Sequence, residues 1–265
     1  MSSIKQEGRG KVDLTIFVPC YNEARLIART LDTIRAAIGR YSFVYEVLIY
    51  DDASTDHCPD LIREYICANQ LEGQFELVIN ERNAGIGVNY FRAAEKGRGE
   101  YFMIVFGDNS ESAESLCKMF DLIGKADVVI PNIDSRFLDR GFNTDHRGFL
   151  RRMLSRNFAR LVRLLSGVHV WYFNGFVMHR RQKVLDNRVD TYGLGYQAEL
   201  LCKILSNPKV TFLEVRVSCE SRSSGLPTAF KPRNIISVAA SLWRIFCGRF
   251  ENKDNTTVEP QKRKT

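Results

Sequence analysis

The 265-residue sequence has little that would hold it in a membrane or staple it covalently. It opens with no apolar signal segment. Its longest stretch free of Asp, Glu, Lys and Arg runs from Leu164 to His179, and that stretch holds His169, Asn174 and two glycines. It does not read as a membrane span. The seven cysteines are scattered and odd in number, with no C-x-x-C pair. This argues against a zinc site or a disulfide framework and for reduced thiols in a cytosolic compartment. The four histidines have no metal-ligand spacing, so structural or surface roles are expected. Large apolar residues are sparse at both ends, and residues 1–10 and 251–265 read as disordered tails around one domain, 11–250.

What is present is a globular composition: 45% hydrophobic and 26% charged residues. That length can bury a large core. The net charge of +7 suits an anionic partner such as nucleic acid, phospholipid or a phosphorylated substrate. No nucleic-acid motif accompanies the basic patches, so nucleic acid is not expected as a partner.

Through the first half, short apolar runs alternate with helical patterns. "DLTIFVP", "YEVLIYDD", "QFELVIN", "EYFMIVFGD" and "ADVVIP" read as strands. "EARLIARTLDTIRAAI", "CPDLIREYICANQ", "VNYFRAAEKG" and "ESLCKMFDLIG" read as helices, with Pro59 near the start of one and Gly97 at the end of another. Repeated β-α units predict an α/β fold with a mostly parallel sheet covered by helices. Ligands on such sheets bind beyond the carboxyl ends of the strands. Polar clusters fall at four of those ends: "YNE", "DDASTD", "NERNAGIG" and "GDN".

Taken residue by residue, Asp52 and Glu23 can accept hydrogen bonds from a ligand, and Gly85 and Gly87 permit close backbone approach. The plainer alternative is that Asp51, Asp52, Ser54 and Asp56 only cap the next helix. Four such loops at four strand ends favour a ligand site. The second half reads differently. "RGFLRRMLSRNFARLVRLLSG" is a long basic helix, "WYFNGFVMHR" and "KVTFLEVRVSCE" read as strands, and "PRNIISVAASLWRIFCGRF" as a last amphipathic helix.

"VPCYNEARLIARTLDTI", "EVLIYDDASTD" and "NAGIGVNYFRAAEKGRGEYFMIV" together resemble the amino-terminal half of family 2 inverting glycosyltransferases of the glycosyltransferase A fold. The resemblance implies a Rossmann-like nucleotide-sugar half, 11–131. It assigns Pro19, Tyr21, Glu23, Asp52, Asn83 and Gly85 to a UDP- or GDP-sugar pocket, with Asp52 on the base. The second half is similar to polyprenyl-phosphate glycosyltransferases such as dolichyl-phosphate mannose synthase, which implies an acceptor and membrane half, 132–250. By that resemblance Arg136, Arg151 and Ser155 bind the lipid phosphate, and Arg222 lies near the phosphates. Gln197 and Glu199 line the sugar pocket, with Glu199 the candidate base if the acceptor is a hydroxyl.

The family usually carries Asp-x-Asp where this chain has Gly107-Asp108-Asn109. The resemblance therefore implies a Mg²⁺ or Mn²⁺ ion held by Asp108, with Asn109 or Glu111 assisting. The expected reaction is inverting sugar transfer to a polyprenyl phosphate at the cytoplasmic membrane face. A glycan or small-molecule hydroxyl acceptor is the alternative enzyme reading. A silent sugar-nucleotide-binding membrane adaptor, which the altered "GDN" would favour, is the other.

Periodicity bears on the membrane expectation independently. Arg152, Arg156, Arg160 and Arg163 share a stripe of roughly 80° on a helix, and Leu150, Leu154, Phe158, Leu161 and Leu165 another face. The alternative is a core helix with a solvated basic face. The last helix, with Trp243, can lie in a bilayer interface or cover the sheet, and is read as interfacial. Peripheral membrane attachment follows, with a membrane-protein partner or a homo-oligomer both compatible.

Overall fold

A computed structural model describes residues 11–132, 149–191, 193, 195–218 and 232–251. The alternation expected for the first half is present. In chain order it comprises β1 (Leu14–Cys20), α1 (Ile27–Ile38), β2 (Tyr45–Asp51), α2 (Cys58–Ala68) and β3 (Phe75–Ile79). Then come α3 (Ile86–Lys96), β4 (Tyr101–Ile104), α4 (Ala113–Phe120) and β5 (Val128–Asn132). The second half adds α5 (Phe149–Ser166), β6 (Met178–Arg180), α6 (Arg181–Asp186), α7 (Tyr196–Leu205), β7 (Phe212–Arg216) and α8 (Pro232–Glu251).

One seven-stranded sheet in the order β3-β2-β1-β4-β6-β5-β7 organises these elements. The first four strands are mutually parallel, and β5 is parallel to β7. Between them β6 runs antiparallel to both β4 and β5. The strands alternate faces with period two, so each face feeds its own core. Leu14, Ile16 and Val18 of β1 pack with Ile27, Leu31 and Ile34 of α1, Ile62 of α2 and Leu116 and Met119 of α4. On the opposite face Phe17, Leu48 and Tyr50 meet Tyr90 and Phe91 of α3, Val162 of α5, Tyr196 and Leu200 of α7, and Ile245 of α8. Each large side chain so buried stabilises the fold by about 1.5–3 kcal/mol.

One expectation is corrected. "WYFNGFVMHR" is not one strand: pairing covers only Met178–Arg180. Gly175 adopts φ +104°, outside the extended region, and breaks the run. The long helix α5 divides its apolar residues between core and surface. Among its described side chains Ala159 and Val162 are buried, Phe158 and Leu165 pack beside them, and Leu154 and Leu161 are exposed.

The inserted strand β6 carries a buried histidine. His179 is enclosed, and its Nδ1 has no hydrogen-bond partner. Burial lowers its pKa to about 3 from an ordinary 6.5. An unfolded chain takes up a proton below pH 6.5 that the folded chain refuses until about pH 3. Stability is therefore full above 6.5 and declines through that window. Denaturant unfolding of His179→Leu is expected to show a shallower acid loss than the unsubstituted protein between pH 6.5 and 4. Parallel curves would overturn this account.

Candidate active site

The polar loops converge at the carboxyl ends of β1, β2 and β4, and they are stitched to one another. Asn22 N donates to Ser54 Oγ at 2.9 Å, and Thr55 N donates to Asn22 Oδ1 at 2.8 Å. Ala24 N donates to Asp56 Oδ2 at 3.0 Å. The β1–α1 and β2–α2 loops thus form one wall. Tyr21 stands on it 49% exposed, a ring available to stack on a planar ligand. Pro19 is half-buried near the end of β1, and the Glu23 carbonyl accepts from Leu26 and Ile27 to start α1.

Asp52 is buried and its carboxylate accepts three hydrogen bonds. Oδ1 accepts from Asn80 Nδ2 and Ala84 N, both at 2.8 Å, and Oδ2 accepts from Gly85 N at 2.9 Å. Asn83 Nδ2 donates to the Asp52 carbonyl at 3.2 Å. These contacts pull the β3–α3 loop against β2 and fix the start of α3, where Gly85 adopts φ +89°. Asp52, expected to meet a base, thus also braces the loop that opens α3. An oxygen with no hydrogen bond at all belongs to its neighbour. Asp51 Oδ1 accepts from Ser54 N at 2.9 Å, while its buried Oδ2 has no partner. Asp51 follows Ile49 onto the α1–α2 face of the sheet, whereas Asp52, just past β2, bonds the loop that opens α3 on the other face.

After β4 the chain turns through Gly107, whose N donates to the Pro19 carbonyl at 3.3 Å. A Cβ at Gly107 would lie 2.8 Å from that carbonyl oxygen. Backbone contact with β1 therefore excludes a side chain where the family's first acid would stand. The acidic pair is instead Asp108 and Glu111, 8% and 5% exposed. Ser110 N donates to Asp108 Oδ1 at 3.2 Å, and Ser110 Oγ to Glu111 Oε1 at 2.9 Å. Phe106 N donates to Glu111 Oε2 at 3.3 Å. Burial, and then the nearby Asp108 charge, raise Glu111 to about 8. Two carboxyl groups with only oxygen donors, held together out of water, fit a hard divalent cation such as Mg²⁺ or Mn²⁺. Asn109 does not complete this set. Its Oδ1 accepts from Thr33 Oγ1 at 2.9 Å and its N donates to Thr30 Oγ1 at 2.9 Å, both on α1.

Gln197 and Glu199 do not line one pocket together. Both lie on α7, where residues two apart point to different sides. Gln197 clamps the Gly175 backbone, accepting from its N at 3.0 Å and donating to its carbonyl at 2.8 Å. Glu199 accepts from Arg244 Nε of α8 at 3.0 Å and from Thr191 Oγ1 at 2.5 Å. Sequence reasoning saw only their spacing. Arg136 and Arg222 lie outside the described residues, as does the side chain of Arg151, although its backbone is in α5. Ser155 is half-buried on α5.

The acceptor-side expectation meets a mixed surface. Arg163 is not free in a basic stripe: its guanidinium lies 4.8 Å from the centre of the Trp171 ring. Arg160 is exposed among Met153, Leu154, Leu161 and Leu164. Leu164 is 72% exposed, and Trp243 on α8 67%. Arg249 Nη1 donates to the Leu164 carbonyl at 2.9 Å, so α8 caps the end of α5. Among the described residues, no helix is long and apolar enough to cross a membrane.

A mostly parallel sheet with nucleotide-type loops and an acidic pair at its carboxyl edge defines a glycosyltransferase A-type domain. The chain belongs to glycosyl transferase family 2, matching over residues 15–187. It is 27% identical over 170 residues to dolichyl-phosphate beta-glucosyltransferase ALG5C of Trichomonas vaginalis, covering 60% of this chain and 48% of that one. It is 26% identical over 171 residues to the dolichyl-phosphate beta-glucosyltransferase of Dictyostelium discoideum, covering 60% and 52%. The chain thus spans about half the length of these curated relatives. The fold is shared with glucosyl-3-phosphoglycerate synthase from Mycobacterium tuberculosis, solved with Mn²⁺, UDP and phosphoglyceric acid. The TM-score is 0.65 at 15% identity, over 88% of this chain and 78% of that one.

Two substitutions test this geometry. Gly107→Asp, which would restore the missing acid, is expected to destabilise by about 1–3 kcal/mol through overpacking against Pro19. An unchanged denaturant midpoint would show that the loop has room. Glu111 holds a proton in the folded chain between pH 4.5 and 8 that the unfolded chain releases. Its contribution is therefore present below 4.5 and lost as pH rises through 8. With chelator present, the stability advantage of Glu111→Gln over the unsubstituted protein should widen across that window. A constant difference would remove the shifted carboxyl group from the account.

Proposed function

We propose that the chain transfers a sugar, with inversion, from a UDP- or GDP-linked donor to a polyprenyl phosphate at the cytoplasmic face of a membrane. The observation that carries this reading is the buried Asp108–Glu111 pair, set at the carboxyl edge of a family 2 sheet beside the stitched loops. The names of the relatives, both dolichyl-phosphate beta-glucosyltransferases, support the acceptor class.

Pro19, Tyr21, Glu23, Asp52, Asn83 and Gly85 form the donor pocket in this proposal, with Asp52 meeting the base and Tyr21 stacking on it. An acceptor phosphate oxygen attacks the anomeric carbon from the face opposite the donor diphosphate. A new C–O bond forms there, the bond to the leaving diphosphate oxygen breaks, and configuration inverts. The acceptor is already ionised at neutral pH, so no general base is required. Asp108 and Glu111 would hold Mg²⁺ or Mn²⁺, which supplies charge neutralisation for the leaving diphosphate. Arg136, Arg151 and Arg222 remain the proposed phosphate clamps, with Ser155 one turn from Arg151 on α5. The exposed apolar residues of α5 and Trp243, with Arg160 among them, suit an anionic lipid surface. The reading with Glu199 as base for a hydroxyl acceptor is weaker, because Arg244 and Thr191 already occupy that carboxylate.

The deciding experiment incubates the chain with UDP- and GDP-sugars and a polyprenyl phosphate in detergent, with Mg²⁺ or Mn²⁺. Sugar-labelled lipid is expected from at least one donor. Neither lipid product nor donor hydrolysis from any donor would sink the proposal. Asp108→Ala should lower the rate by roughly 10²-fold or more, several kcal/mol of lost charge stabilisation. Separately, Leu164→Asp with Trp243→Asp should release the protein from anionic vesicles on sedimentation. Undiminished binding would reject this face as the membrane surface.

A further inference from the structure

A second cluster of metal-type ligands lies behind the donor pocket wall, apart from the Asp108–Glu111 pair. Cys20 ends β1, Asp51 ends β2, and the two are partners in the β1–β2 register, so their side chains project from the same face. Cys58 begins α2, the helix that packs on that face. All three residues are buried, and their ligand atoms lie within 4.8 Å of one another. The Asp51 Oδ2 atom in this cluster is buried without a hydrogen-bond partner. A carboxylate oxygen left so among two thiols is costly unless something neutralises it.

We propose that Cys20, Asp51 and Cys58 bind a zinc ion that pins the two donor-pocket loops from behind. Two sulfurs and one oxygen are a borderline-soft donor set, which selects zinc over Mg²⁺ or Mn²⁺. Tetrahedral zinc with Zn–S bonds of about 2.3 Å holds its ligand atoms roughly 3.5–3.8 Å apart, within the observed spread. A water molecule fills the fourth position. Binding displaces one proton from each thiol, and the ion offsets the charge then left on two sulfurs and the carboxylate. The ion would join the end of β1, just before Tyr21, to the end of β2 and the start of α2. The absence of C-x-x-C spacing argued against zinc, but that rule detects only ligands adjacent in sequence. Here the parallel register brings together ligands from separate β-α units.

The inference is independent of the sugar-transfer reading, and its test needs no activity. Full-length protein purified with reductant would be loaded with Zn²⁺, desalted and analysed for metal. One tightly held equivalent is expected, and it should persist in Asp108→Ala and in Cys67→Ser, whose cysteine is exposed. It should be lost in Cys20→Ser and in Cys58→Ser. Replacement by Co²⁺ should give thiolate-to-cobalt charge-transfer absorption. Should the serine variants fail to fold, alkylation of the unsubstituted protein decides: Zn²⁺ should protect Cys20 and Cys58 but not Cys67. No retained metal, no charge-transfer band, equal alkylation with and without Zn²⁺, or a Cys20–Cys58 disulfide in its place would each overturn the proposal.

Discussion

The Asp52 carboxylate stands in the densest set of constraints around the site. A buried carboxylate must gather donors, and Asp52 gathers three, from Asn80, Ala84 and Gly85. Two are backbone groups, so the demand of one charge fixes the path of a whole loop. That path sets where α3 begins, and with it the N-terminal end of a helix whose Tyr90 and Phe91 fill the core on one side of the sheet. Asn80 extends the constraint by also donating to the buried Asn89 of α3 at 2.8 Å. Loop, helix and sheet are therefore positioned together by buried hydrogen bonds.

The acidic pair depends on a different constraint, a backbone contact. The turn after β4 runs so close to Pro19 that position 107 admits no side chain. The carboxyl groups consequently fall at 108 and 111, one turn apart, and both sink below the surface. Burial first, and then the Asp108 charge, disfavour a second negative charge there, which is why Glu111 is raised to about 8. A site of this kind stores its own affinity for a cation. Asn109 is turned back onto α1 by Thr30 and Thr33, and so braces the turn instead of joining the pair.

In the second half, helix-to-helix contacts add to those of the sheet. Arg244 joins α8 to α7 through Glu199, and Arg249 joins α8 to the end of α5. Basic side chains that look uncommitted in sequence are thereby consumed internally: Arg163 on Trp171, Arg244 on Glu199 and Arg249 on the carbonyls of α5. Among the described residues, Leu164 and Arg160 on α5 and Trp243 on α8 remain exposed.

By itself the sequence determined the β-α alternation, the parallel character of the sheet and the four strand ends where the polar loops lie. Those are local properties: hydrophobic period, helix-start signals and strand length are written in consecutive residues. It also carried the family motifs that singled out Asp108. Only the tertiary structure decided which face each side chain serves. Asp51 and Asp52 are adjacent in sequence yet act on opposite sides of the sheet, and Gln197 and Glu199 diverge because α7 is helical. Asn80, Asn89 and Thr30 were not visible as site residues, since their partners lie in other segments. The antiparallel β6 and the gathering of Cys20 and Cys58 were equally hidden. Each depends on register between strands distant in sequence, and register is set by packing that no local pattern records.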